Sequence, residues 1–117
     1  MKHSDKTFMG MTTSGQNGED VMAMCAILFG EDFMEENAVT TGNCNGNSPL
    51  VWDATMLGAM RAFVRRRQPV LCSPFVLGGA NTPASTVAAV VQLNAEALAA
   101  LAYTQVCLLY TSDAADE

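Results

Sequence analysis

The chain has 117 residues, half of them hydrophobic and only 15% charged, which leaves a thin solvating surface and suggests segments buried on more than one side. Twelve acidic residues against six basic ones argue against a nucleic-acid partner. Cys25, Cys44, Cys72 and Cys107 are widely spaced with no C-x-x-C pair, which argues against a disulfide framework or a zinc site.

At the amino end, Lys2, His3, Asp5 and Lys6 lead into a Gly/Thr/Ser stretch and not into an apolar signal core, so a cytoplasmic protein is expected. His3 has no partner triad in view. Residues Phe8 to Ser14 read as a short strand entering a turn. Asn17 is the expected helix N-cap, with Glu19 and Asp20 in the first turn. Val21, Met24, Cys25 and Leu28 then share one face of a helix ending at Gly30. Cys25 reads as a small buried hydrophobe. Glu31 to Asn37 reads as a polar connector, followed by a second strand near Ala38 to Thr41. That strand should empty into a Gly/Asn-rich loop, Gly42 to Ser48.

A second helix starts either at Ser48-Pro49 or at a cap on Asp53, with Leu57, Met60 and Val64 as its buried stripe. Gln68-Pro69 stops it, and Arg65, Arg66 and Arg67 read as a last turn complementing the helix dipole. The third strand, Val70 to Ser73 and continuing toward Leu77, contains Cys72 as another buried thiol. Gly78-Gly79 is a tight turn, and Thr82-Pro83 is expected to cap a long helix. Val90, Leu93, Ala97 and Leu101 line one face of that helix; Ser85, Gln92, Glu96 and Tyr103 line another. Asn94 is expected to be a buried amide satisfied by a neighbouring loop. Val87 to Val106 comes closest to a membrane span, but Gln92, Asn94, Glu96 and Gln105 interrupt it, so no membrane is expected.

Strand starts near residues 8, 38 and 70 give a repeat of about 30 residues, one βα unit with its connections. Such units imply parallel strands, in an open doubly wound sheet or in a closed (β/α)8 barrel. Neither G-x-G-x-x-G nor G-x-x-x-x-G-K-[ST] occurs, which weighs against a nucleotide-binding open sheet. The fold class expected is therefore α/β: three consecutive βα units of a (β/α)8 TIM barrel, incomplete because a barrel needs about 250 residues. The tail, residues 107–117, looks like a translated transposase sequencing adapter, so residues 1–106 are taken as the partial barrel domain and the tail as non-native. Twelve acids less Asp113, Asp116 and Glu117 leave nine against six bases.

Three strings, His3 to Gly10, Asn47 to Asp53 and Pro74 to Pro83, together with the helix segment Val91 to Ala99, resemble the trimethylamine methyltransferase (MttB-like) family from about residue 3 to 106. The resemblance implies a (β/α)8 barrel that moves a methyl group from a tertiary or quaternary amine, trimethylamine or betaine-like, to a corrinoid (cobalamin) cofactor. That corrinoid is carried by a separate small protein, and this chain binds none itself. It also implies a homo-oligomer when full length, and an isolated piece without activity. Trimethylamine-specific archaeal members carry pyrrolysine, expected downstream of this segment.

Reduced cobalt supplies the nucleophile in such chemistry, so the barrel's tasks are to hold the cation, exclude water and dock the partner. Aromatic faces suit a quaternary ammonium, which singles out Trp52 and Phe75 near strand ends; helix-to-barrel packing is the competing role for both. Asn43, Asn45, Asn47 and Ser48 fall in the second strand's exit region, where barrels place active-site groups, and capping or turn chemistry explains them equally well. No catalytic residue of the family maps onto a numbered position. Two alternatives remain open: a piece of another barrel enzyme such as a lyase or aldolase, and a truncated chain with no function of its own.

Overall fold

The computed structural model describes residues 6–113; His3 and the last four residues of the tail lie outside them. In chain order the elements are β1 (Phe8–Met11), α1 (Gly15–Phe29), α2 (Glu31–Glu36), β2 (Thr40–Gly46), α3 (Ala54–Arg65), β3 (Val70–Pro74) and α4 (Thr86–Asp113). The strands form one parallel sheet in the order β1-β2-β3. In register, Gly10 pairs with Gly42 and Cys44 with Cys72.

Alternation along the strands separates two faces. Phe8 and Val70 pack with α1, α2 and α3 around Met22, Cys25, Met34 and Phe63, while Cys44 and Cys72 pack with Ala59, Met60, Ala100 and Tyr103 of α3 and α4. All helices therefore lie on the face of the even-numbered strand residues. The opposite face carries Met9, Thr41, Asn43, Asn45, Leu71 and Ser73, with Met9 and Leu71 about half exposed. A doubly wound sheet is covered by helices on both faces; this one is covered on one.

The glycine-rich stretch expected to be a loop is mostly strand. Residues Gly42 to Gly46 pair along β3; Gly42 is there because α3 comes so close, and Gly46 because the Trp52 ring lies over it. A Cβ on Gly42 would sit 2.9 Å from the Phe63 ring. Gly18 plays the same part between helices, where a Cβ would meet that of Ala62 at 2.8 Å. Backbone pairing and close packing outweigh the weak strand propensity of Gly and Asn.

Helix starts follow local hydrogen bonds. Ser14, and not Asn17, caps α1: its Oγ accepts from the Asn17 N–H at 3.1 Å. Asp53 caps α3 and accepts from Met56 N at 2.7 Å, which settles the alternative against Ser48-Pro49. The expected connector after Gly30 is α2, which buries Met34. Asn37 ends it, donating to the Phe33 carbonyl at 3.0 Å. Thr82-Pro83 does not open α4; Thr82 donates to the Leu77 carbonyl inside the turn, and the helix starts at Thr86. Gly79, at φ 78, supplies the left-handed residue of that turn. Arg65 closes α3, Arg66 is its C-cap and Arg67 follows at φ 54. Gln68 does more than stop the helix: buried, it accepts from Val39 N and donates to the Met34 and Asn37 carbonyls, tying α2 to the start of β2.

Two helix faces depart from expectation. On α1 the buried residues are Gly18, Met22 and Cys25, while Met24 and Leu28 stay 62% and 49% exposed. Apolar residues surround that helix, so periodicity does not single out a stripe. On α4 the buried residues are Glu96, Ala100 and Thr104, whereas Val90 and Leu101 of the expected apolar face are more than half exposed. Asn94 is exposed as well. By length and composition Thr86–Leu109 is apolar enough to cross a membrane despite its interruptions, yet its inward face packs on α3 and β3.

Candidate active site

The carboxyl ends of β2 and β3 lie side by side, Asn45 opposite Ser73 and Gly46 opposite Pro74. Two loops leave from there: residues 47–53 toward α3 and residues 75–85 toward α4. In α/β folds with parallel strands this end is where ligand groups collect.

The six sequence candidates separate into two sets. Asn43 and Asn45 project from the uncovered face of β2, next to Leu71 and Ser73. Asn43 Oδ1 is buried without a hydrogen-bond partner, an acceptor with unused capacity. Phe75 follows directly after β3; its N–H donates to the Gly46 carbonyl at 3.3 Å, and it is 62% exposed. Asn45 and Phe75 lie at the open end; Asn43, opposite Leu71, lies farther back along β2.

The other three are engaged in building the loop. Asn47 donates from its side chain to Asp53 and from its N–H to the Val51 carbonyl. Ser48 Oγ donates to Glu96 Oε2 at 2.5 Å. Trp52 packs on the helix-covered side, its ring 3.2 Å from where a Gly46 Cβ would stand, and its Nε1 donates to the Glu96 carbonyl at 3.1 Å. The indole therefore takes the packing role, away from the face that carries Asn43 and Asn45.

Glu96 is the residue that sequence reasoning placed only on a helix face. It is 2% exposed, and its carboxylate accepts from Ser48 Oγ, from Leu50 N at 2.9 Å and from Gln92 Nε2 at 2.8 Å. Burial alone would raise its pKa; the Leu50, Ser48 and Gln92 hydrogen bonds outweigh it and hold the carboxyl below its ordinary range. One signal was available: an acid in the middle of a long apolar helix is buried only with partners. Asn81 was also missed. It accepts from Leu77 N at 2.6 Å and donates to the Phe75 carbonyl at 2.7 Å, shaping the second loop.

Cys25, Cys44 and Cys72 are not activated as nucleophiles. Burial, and then the neighbouring Cys72, push the Cys44 thiol up to about 11, and burial raises Cys25 and Cys72. Burial that disfavours the thiolate is the setting of a packed thiol, not of an activated one. A cleft of about 630 Å³, lined by Val64, Val70, Cys72 and Leu101, includes Ala38 and Pro69 at the amino ends of the strands, away from this mouth. An opening of about 410 Å³ beside β1 is lined by Phe8, Met24, Cys25 and Leu28.

Comparison with known proteins agrees with the resemblance read from the sequence. The family model for trimethylamine methyltransferase (MTTB) matches residues 1–109. Over 106 residues, 90% of this chain, it is 37% identical to a glycine betaine methyltransferase of Desulfitobacterium hafniense (strain Y51). The chain spans 22% of that relative's length. With a family match across nearly its whole length, on a parallel βα frame, this chain belongs to the trimethylamine methyltransferase (MTTB) family.

Proposed function

We propose that this chain is part of a methyltransferase that takes a methyl group from a trimethylamine- or betaine-like substrate and delivers it to a corrinoid held by a separate protein. The observation that carries this reading is the family match over residues 1–109. The one-sided sheet supports the larger architecture. Helices on one face and a mixed Asn/Ser/Thr/Leu/Met face on the other are what three consecutive units of a (β/α)8 barrel present, the bare face turned to the interior.

The bound corrinoid's low-valent cobalt would supply the nucleophile for breaking the carbon–nitrogen bond. The residues at the strand mouth fit a cofactor carried elsewhere: Asn43, Asn45, Ser73 and Phe75 offer amides, a hydroxyl and a ring, none a ligand suited to a soft metal. Their tasks are binding and orientation. A methylated ammonium has no N–H when quaternary, so it is held by a ring face and by oxygen dipoles; Phe75 offers the first and the exposed side-chain amide of Asn45, at the end of the neighbouring strand, the second. The amide N–H groups of Asn43 and Asn45 can donate to a substrate carboxylate. Apolar Leu71 and Met9 on the same face limit water around the cation.

The test is methyl transfer by the full-length protein with its corrinoid partner, followed as conversion of the reduced-corrinoid spectrum. Trimethylamine, glycine betaine and related amines are the substrates to offer. Conversion with at least one is expected; no conversion with any overturns the assignment.

A further inference from the structure

We infer that Glu96 is a positioning residue, a buried carboxylate on α4 that fixes the loops at the strand mouth. The inference rests on the methyl-transfer reading for what those loops do. Its basis is a continuous chain of hydrogen bonds. The Glu96 carboxylate takes the Ser48 hydroxyl and the Leu50 N–H, while its own backbone carbonyl takes the Trp52 indole, so one helical residue holds three points of the loop between β2 and α3. Gln92, one turn earlier, donates both to Glu96 Oε1 at 2.8 Å and to the Asn81 carbonyl at 3.2 Å. Asn81 in turn reaches the Ser48 carbonyl at 3.4 Å and the Phe75 carbonyl at 2.7 Å. The loop after β2 and the loop after β3 are thereby tied to each other through the helix that follows both.

Trp52 anchors the end of the loop by packing, but Leu50 and Val51 do not hold their part of it on apolar contacts. Leu50 is 70% exposed and Val51 49% exposed, and Leu50 sits at φ 55, a left-handed conformation unfavourable for a leucine. What pins Leu50 is its N–H on Glu96 Oε1. A charged acceptor makes that bond stronger than a neutral one. Glutamine can replace it: its oxygen keeps the Leu50 and Gln92 donors, and its amide donates to the Ser48 hydroxyl, which has free lone pairs. Leucine fills the same space with no acceptor.

The test compares Glu96→Leu and Glu96→Gln in the full-length enzyme with its corrinoid partner, reading amide exchange, melting temperature and methyl-transfer kinetics. Glu96→Leu should speed exchange at Leu50 and Leu77 by roughly tenfold or more, leave the β2 amides Thr40–Gly46 much less affected, and lower the melting temperature by about a few degrees, since the Ser48, Leu50 and Gln92 donors lose their acceptor. Its KM for the amine should rise by roughly tenfold with a much smaller change in kcat, and Glu96→Gln should restore both readouts to within about threefold of wild type. Wild-type kinetics and wild-type loop exchange in Glu96→Leu overturn the inference, as does exchange that accelerates uniformly through β2. If wild type transfers no methyl group from any amine, the functional reading fails, and loop exchange alone still decides whether Glu96 holds the mouth.

Discussion

Helix α3 turns its large apolar residues inward, with Phe63 and Met60 fully buried and Arg61 and Arg65 outside, whereas α4 buries Glu96, Ala100 and Thr104 and leaves Val87, Val91 and Leu98 more than half exposed. The two helices differ in pattern, α3 one-sided and α4 apolar nearly all round, and in position. α3 is the middle helix of the layer, flanked by α1 and α4 and lying over β2, so every apolar group on its inner side meets a partner. α4 is flanked on one side, and there it meets the 47–53 loop, which presents it with the Ser48 hydroxyl, the Leu50 N–H and the Trp52 indole N–H as donors. It therefore turns its acid toward that loop. Its apolar residues are left facing outward, as is Ile27 on the outer side of α1 at 88% exposure. Under the proposed barrel, these are the faces that adjoining βα units would cover.

Substitutions at the two helices test this contrast. The largest effect is expected for Phe63→Ala in α3, which empties the space between α1, α3 and the sheet; about 3–5 kcal/mol of stability should be lost in denaturant unfolding of the full-length protein. Next is Gly42→Ala, where the added methyl meets the Phe63 ring at 2.9 Å and should cost about 1–3 kcal/mol. If this substitution were neutral, the close approach of α3 to β2 would be wrong.

The third effect belongs to α4 and depends on pH. The folded state holds the Glu96 pKa below its ordinary 4.5, so folding gains from the ionised form above that value and loses the gain as pH falls through the lowered folded value. Melting temperature should therefore drop more steeply below pH 4.5 in wild type than in Glu96→Gln. Equal slopes would mean that the carboxylate is not held as described.

The smallest effect on folding is expected at the outer face of α4. Val87→Ser with Val91→Ser should change the stability of the 117-residue chain by no more than about 0.5 kcal/mol, since both side chains are largely in solvent. The same pair should reduce self-association of that chain, which exposes a contiguous apolar surface and a sheet edge. Sedimentation of both forms checks this. A wild-type chain that melts cooperatively as a monomer would show that the exposed faces need no cover.

Much of the frame was legible because it is local. Three strand starts, the Asp53 cap, the Gln68-Pro69 stop and the α3 stripe of Met60 and Val64 follow from propensity and periodicity within a few residues. The candidate site was half legible. Asn45 and Phe75 stand at the ends of adjacent strands, as the βα order requires, while Asn43 lies farther back along β2. Ser48 and Trp52 were chosen for their proximity to those ends, but what they do depends on Glu96, more than forty residues away. Short-range patterns carry no record of such a bond.

By itself the sequence determined the alternation of strand and helix, the parallel sense it implies, and membership of the methyltransferase family through long matching strings. Tertiary structure decided which side of each helix is inside, and that Gly42 to Gly46 is strand, because a neighbouring ring and a neighbouring ladder outweigh local preference. It also decided that an acid in an apolar helix is buried. A carboxylate can leave water only where other groups arrive to meet it, and here they come from a loop that folding brings to its side.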